Sequence, residues 1–350
     1  MVSNPLKEKL NIKNFVFLFP LFCLILFFLS NFLAQEKKIK GSPIEEKKKQ
    51  TTSLNEPILI IDLKEIWPDE TGVPYRPRAV RFDHQGRIIV NDMGKKEILI
   101  FDKKGDFIKS FGKEGEGKGE FLGHLGGIAV DSKNRIFVVD TYNYRIQVFD
   151  KDGNFLFWFG EFGTEKEKFS EPKGIVVDTD GKIYIADIVQ NSIKTFDNKG
   201  QFLDVLGEKG ELIKPEWITI GKTGNIYVTH HSSFCVNVYE PTGDFILSFA
   251  KQGENPGEIE DDAEGIVADK EGHIFVVDED EGKIEVYSET GKYLLSLGKG
   301  LGYGPGEFLS PKGIDFDKTD KRLAVADTWN SRIQIFDVKD LFNNKGGEEK

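Results

Sequence analysis

The stretch that decides the architecture is "TYNYRIQVFD", Thr141 to Asp150, because the chain writes it again as "TWNSRIQIFD", Thr328 to Asp337. Two near-identical decamers so far apart point to an internal repeat. Aligning on them brings out a series: "DMGKKEILIFD" from Asp92, "DTYNYRIQVFD" from Asp140, "DIVQNSIKTFD" from Asp187, "HHSSFCVNVYE" from His230, "DEDEGKIEVYS" from Asp278 and "DTWNSRIQIFD" from Asp327. Successive first positions lie 48, 47, 43, 48 and 49 residues apart. A period of that length, filled with short strands, specifies a propeller blade.

Each unit divides into four strands. In the second these are "GIAVD" (Gly127–Asp131), "RIFVVD" (Arg135–Asp140), "RIQVFD" (Arg145–Asp150) and "NFLFWFG" (Asn154–Gly160). The runs are rich in β-branched and aromatic residues. Turns such as "DTDG", "DKEG", "DKKG" and "DKDG" separate them, with Gly supplying the positive φ that tight hairpins need. The sixth unit has no strong fourth strand, since "VKDLFNNKGGEEK" after it is mostly polar. "ILIIDLKEI", Ile58 to Ile66, is available to fill that place. The expected fold is all-β: a six-bladed β-propeller whose N-terminal strand closes the last blade, preceded by one hydrophobic N-terminal helix. An unclosed ring would leave sheet edges with unsatisfied backbone groups.

The phrases "PKGIVVDTDGKIYIADIVQNSIKTFDNKG", Pro172 to Gly200, and "PGEFLSPKGIDFD", Pro305 to Asp317, resemble the NHL-repeat family of β-propellers. The resemblance covers about residues 75–338. It implies a six-bladed propeller, but no single function, since such propellers serve as binding platforms, scaffolds, sensors and, at times, lyases or lactonases.

The organisation expected along the chain is a signal or anchor over residues 1–34, a charged flexible linker over 35–56, the propeller over 57–340 and a polar tail over 341–350. Lys7, Lys9 and Lys13 precede the apolar run Phe15 to Ala34, which is long enough to span a bilayer as a helix. The cleavage site is poor, since Ala34 is small but Phe32, two residues earlier, is bulky, so an uncleaved anchor is favoured over a cleaved signal peptide. The lysines after the run outnumber those before it, which read literally keeps the propeller in the cytoplasm. The short basic head argues instead for export, and the expected location is extracytoplasmic and membrane-anchored, or secreted if cleavage occurs.

Charge narrows the partners. The chain carries −11 overall, but residues 1–50 hold nine Lys against four Glu, which leaves the remainder near −16. So acidic a body repels phosphate backbones and argues against nucleic-acid binding. Cys23 and Cys235 are the whole cysteine complement, and with Cys23 in the apolar run no disulfide is expected. The chain is expected to be monomeric.

Several tempting motifs dissolve into the repeat. "GKEGEGKG", Gly112 to Gly119, lacks the hydroxyl and the helix of a phosphate-binding loop. "DKDGN" and "DTDG" lack the distal Glu of a calcium loop. The recurring Asp (Asp92, Asp140, Asp187, Asp278, Asp327) reads as a structural acceptor for loop hydrogen bonds, once per blade. His84 and His273 fall in opposite-face turns and are expected to be exposed, and Cys235 is expected in a strand core.

Propeller topology places the second-to-third-strand loops and the blade-to-blade connections on one rim. That upper rim is the expected ligand site, and its candidate residues are Arg78, Lys173, Glu216, Trp217, His230, His231, Glu264, Lys312, Tyr142 and Trp329. The fourth unit breaks the pattern: Trp217 stands where Gly127, Gly174, Gly265 and Gly313 stand elsewhere, and His230 replaces the Asp. These residues read either as a binding site or as a diverged blade in which Trp217 plugs the channel. The leading function is a binding module for a protein, peptide or glycan, with no cofactor. The alternative is a metal-dependent lyase or hydrolase, with zinc or calcium on His124, His230 and His231. Propeller lyases acting on peptidyl-hydroxyglycine, which the resemblance brings to mind, hold zinc on histidines from several blades.

Overall fold

The structure, a computed structural model, describes residues 56–66, 72–207, 212–231, 234–317, 321–339 and 341–342. The apolar run 15–34 and nearly all of the linker lie outside them, so the expected N-terminal helix does too. No helix among the described residues is long and apolar enough to cross a membrane.

Six four-stranded antiparallel sheets make up the body. Their first strands are Pro77–Phe82, Ile128–Val130, Pro172–Val177, Pro215–Ile220, Ala263–Ala268 and Pro311–Asp317, and we number the blades I to VI from these. Each first strand packs against those of the two neighbouring blades, and the strand of VI returns to that of I, so the ring is complete. Close approach at the axis explains the glycine of this position. At Gly313 an added Cβ would sit 2.6 Å from the Arg78 carbonyl oxygen and 2.7 Å from the Ala79 Cα.

Closure takes the expected form. The strand Leu59–Asp62 pairs with Arg332–Asp337, in the register Leu59↔Ile335, Ile60↔Gln334, Ile61↔Ile333 and Asp62↔Arg332. A one-turn helix, Leu63–Ile66, follows, with Leu63 fully buried. The edge of blade VI is thereby covered by the chain's own beginning.

Second strands such as Ile136–Asp140 and third strands such as Arg145–Phe149 are buried at every position, because each sheet is covered on both faces by its neighbours. Fourth strands, such as Phe155–Phe159, alternate between half-buried and exposed, as expected of a strand that meets solvent on one side. Aromatic rings stitch adjacent blades together: Phe111 on Phe149, Phe159 on Phe196 and Phe249 on Tyr287 have centroids 4.8, 4.9 and 4.9 Å apart. Such pairs add to the area term that drives burial.

Three local expectations are corrected. His273 is not simply exposed: its Nδ1 lies 2.7 Å from Asp269 Oδ2, and its ring stacks on Phe342 at 3.6 Å. Leu341 and Phe342, assigned to a polar tail, pack onto the apolar core between blades V and VI. Cys235 is half-buried and lies just ahead of its strand, Val236–Tyr239, rather than in a strand core.

Candidate functional site

The recurring Asp is structural. Asp140 accepts from the Leu122 amide, Asn143, Arg145 and Gln147, and Asp327 from the Leu309 amide, Asn330, Arg332 and Gln334. Each thus ties its own second-to-third-strand loop to the connection arriving from the previous blade. Burial raises the Asp140 and Asp327 carboxyls, and takes Asp92 and Asp278 up to about 6. In blade IV the bond is reversed. His230 Nδ1 donates to the Ile213 carbonyl at 2.7 Å, so an imidazole donor does the work of the carboxylate acceptor. His230 is buried, burial lowers its pKa, and its Nε2 has no hydrogen-bond partner among the described residues.

The residues just before the axial glycine position form an inner ring: Arg78, Gly126, Lys173, Glu216, Glu264 and Lys312. Two residues earlier stand Arg76, His124, Glu171, Lys214, Asp262 and Ser310. Strand periodicity brings both sets to one face. The register shifts between Pro172 and Ile175, Pro215 and Ile218, and Ala263 and Ile266 mark bulges in this same stretch. A third set follows the recurring Asp and includes Ile188, His231 and Glu279.

Together these sets enclose a cup of about 520 Å³ at the mouth of the channel, lined by Arg78, Lys173, Lys214, Glu216, His231, Asp262, Glu264 and Lys312, with Glu171, Ile188, Val189 and Asn191. Its floor crosses the axis. Arg78 of blade I meets Glu216 of blade IV, on the opposite side of the ring, at 2.8 Å. Trp217 is buried beneath, with its indole N–H donating to Glu264 at 2.7 Å and the Arg78 guanidinium 5.5 Å from its ring centroid. The apolar cluster containing Trp217 joins the core between blades I and II to that between IV and V. Trp217 therefore seals the channel and makes a cup of it.

Charge pairing fixes the walls. Lys312 bonds Glu264 at 2.6 Å and also Glu279. Burial opposes its charge, but the two carboxylates raise its pKa above the ordinary lysine range. Lys173 pairs with Glu171 at 3.1 Å. His231 Nδ1 lies 3.2 Å from Glu216 and 3.8 Å from Asp262. Burial alone would raise the Glu216 carboxyl, but the His231 hydrogen bond and the charges of Arg78, Lys173 and Lys312 bring it down to about 2.

The His231 pKa is raised above its usual 6.5, chiefly by the Glu216 hydrogen bond. A raised folded-state pKa stabilises the fold fully below the unfolded value and loses that contribution as pH rises through the folded one. Thermal unfolding followed between about pH 5.5 and 8 should therefore show a decline just above pH 6.5 that is shallower in His231→Ala. Parallel curves for the two proteins would contradict this pairing.

Of the residues marked from the sequence, Arg78, Lys173, Glu216, His231, Glu264 and Lys312 come together in the cup. Trp217 lies under it, and His230 is held behind it by Ile213. Tyr142 and Trp329 are exposed on their loops, beside His124 and Arg76 respectively, and do not line the cup. His124 does not line it either. Among the described residues, His231 alone of the three imidazoles considered for a metal joins a set of convergent donors, with Glu216 and Asp262. A second set is Asp262, Glu264 and Glu279. Sequence reasoning missed Glu171, Lys214, Asp262 and Glu279, although the repeat alignment carried the signal: the first three share the column of His124, and Glu279 that of His231.

A family profile described as "6-bladed beta-propeller" matches residues 76–135, 123–209 and 263–345. The chain belongs to this family. A search of the curated proteins finds no match. Among solved structures, the propeller is similar to virginiamycin B lyase from Staphylococcus aureus, at 14% identity and a TM-score of 0.55, covering 80% of this chain and 89% of that one. It is also similar to a gluconolactonase from Xanthomonas campestris, at 14% identity and a TM-score of 0.58, covering 76% and 86%. A Bacteroides thetaiotaomicron protein of unknown function has 13% identity and a TM-score of 0.60, covering 76% and 70%. At these identities the likeness is one of fold.

Proposed function

We propose that this propeller is a binding module that takes a small charged or amphipathic ligand, free or at the end of a larger peptide or glycan, in the upper-rim cup. One observation carries the reading: a concave site of about 520 Å³, within the usual range for ligand pockets, into which five of the six blades send charged side chains. A rigid ring holds these groups in place, which limits the ordering needed on binding. The repeat phrases support an NHL-type propeller. The apolar run 15–34 supports an anchored, extracytoplasmic monomer, and the acidic body argues against a nucleic-acid partner.

A second reading, a metal-dependent lyase or hydrolase, draws on the convergence of Glu216, His231 and Asp262 within 4.8 Å. One imidazole and two carboxylates are donors that zinc or calcium accepts. The fit is weakened by Arg78, which already bonds the same Glu216 and would repel a dication.

The test is retention by the immobilised full-length chain from a panel of amino acids, dipeptides and saccharides, read by mass spectrometry with and without chelator. The expected result is a ligand held by the wild type, lost from the double variant Lys214→Ala with Asp262→Asn, and unaffected by chelation. Equal retention by both proteins, or none from any class, contradicts the binding reading. Release by chelator supports the metal reading.

A further inference from the structure

The cup is lined by charges of both signs. Blade V contributes Asp262 and Glu264 to the lining, and their carboxylate oxygens and that of Glu279 behind them lie within 4.8 Å of one another. Lys312 answers Glu264 and Glu279, while Asp262 meets the His231 imidazole at 3.8 Å and keeps part of its side chain in solvent. The cations Arg78, Lys173 and Lys214 come from blades I, III and IV, the last at the lip, where its amide is held by Asn191. The blade V carboxylates thus face these cations across a sealed floor, with Arg78 already paired to Glu216 and Lys173 to Glu171. The lip is apolar at Val189, which lines the cup and is 59% exposed. Because the lining holds both signs, a ligand with charge of one sign alone would meet like charge on part of the wall.

We infer that the ligand is a zwitterion of the amino-acid or short-peptide class, with both termini free, its ammonium on the blade V wall at Asp262, its carboxylate on Lys173 and Lys214, and an apolar side chain on Val189. This rests on the binding reading above and names its ligand class. An ammonium presents three donors to clustered carboxylate oxygens, and a carboxylate accepts from two separate lysines. A neutral saccharide offers neither end its counter-charge.

The experiment is calorimetric titration of the full-length chain, in detergent, with four probes: leucyl-alanine, its N-acetyl derivative, its C-terminal amide and a neutral disaccharide. Leucyl-alanine should bind, and capping either end should weaken it about tenfold or more, the worth of one charge-assisted hydrogen bond. Asp262→Asn should weaken leucyl-alanine yet leave the affinity of the N-acetyl form unchanged. Lys214→Ala should do the same with respect to the amide. Equal affinity for capped and free dipeptides, or binding of the disaccharide alone, would overturn the zwitterion class while leaving a binding cup. No binding of any probe would overturn the inference, and the panel retention experiment then decides separately whether the cup binds another class.

Discussion

Deleting Ile58 to Ile66 is expected to lower the unfolding temperature of the whole propeller by about 10–20 °C, in a single transition. The segment supplies the fourth strand of blade VI, so its loss removes the Leu59–Asp62 ladder and uncovers the Arg332–Asp337 edge. It also removes Ile61 and Leu63, which are 4% and 0% exposed. Loss of two such side chains costs about 2–5 kcal/mol each, before any backbone term. The effect should spread beyond blade VI, because in a closed ring each blade is held by two neighbours and an opened one frees two faces at once. Calorimetry checks this. An unchanged unfolding temperature would mean that the closing strand is ornamental.

The second large effect is expected at Trp217. Trp217→Gly restores the residue found at this position in four of the other blades, and a repeat argument alone would treat it as harmless. The structure argues otherwise. The indole is 3% exposed, bonds Glu264 and lies under Arg78. Its removal empties the axis and takes from the buried Glu264 carboxylate one of its two donors, leaving Lys312. Truncating a buried Trp costs about 3–5 kcal/mol, and the cup loses its floor. Chemical denaturation and the dipeptide titration should therefore both respond. Trp217→Phe, which keeps the bulk but not the N–H, should recover most of the stability and little of the binding. Full binding by Trp217→Gly would show that the site lies elsewhere.

The ring was legible from sequence because the second and third strands are buried on both faces. Each blade must then repeat an apolar phrase, and six are found, five ending in Asp and the fourth in His230. The closing strand was legible for the complementary reason, that the last repeat ended one strand short. The inner ring of the cup followed from its place beside the axial glycine. The next ring outward did not, because Glu171, Lys214 and Asp262 sit in connections whose lengths differ, and only strand alternation shows that they share the face of Lys173, Glu216 and Glu264. Alternation also explains the two adjacent histidines. Successive side chains at the end of a strand diverge, so His231 reaches Glu216 while His230 turns to Ile213. Adjacency in sequence had made them look like one pair of ligands. Trp217 was visible as an anomaly, but its partner across the axis was not, since nothing in the repeat says which blades meet there.

The meeting of blades I and IV through Arg78 and Glu216, which turns a channel into a cup, is tested most directly by a double-mutant cycle. Arg78→Met, Glu216→Gln and the double variant would be unfolded in denaturant alongside the wild type. Either single change takes the cross-axis bond from a buried partner, 7% and 4% exposed, and should cost about 3–5 kcal/mol. The double variant should be more stable than the sum of the singles implies, by about 2–3 kcal/mol. Additivity within about 0.5 kcal/mol would mean that the two residues do not touch across the axis, and the cup would have no floor.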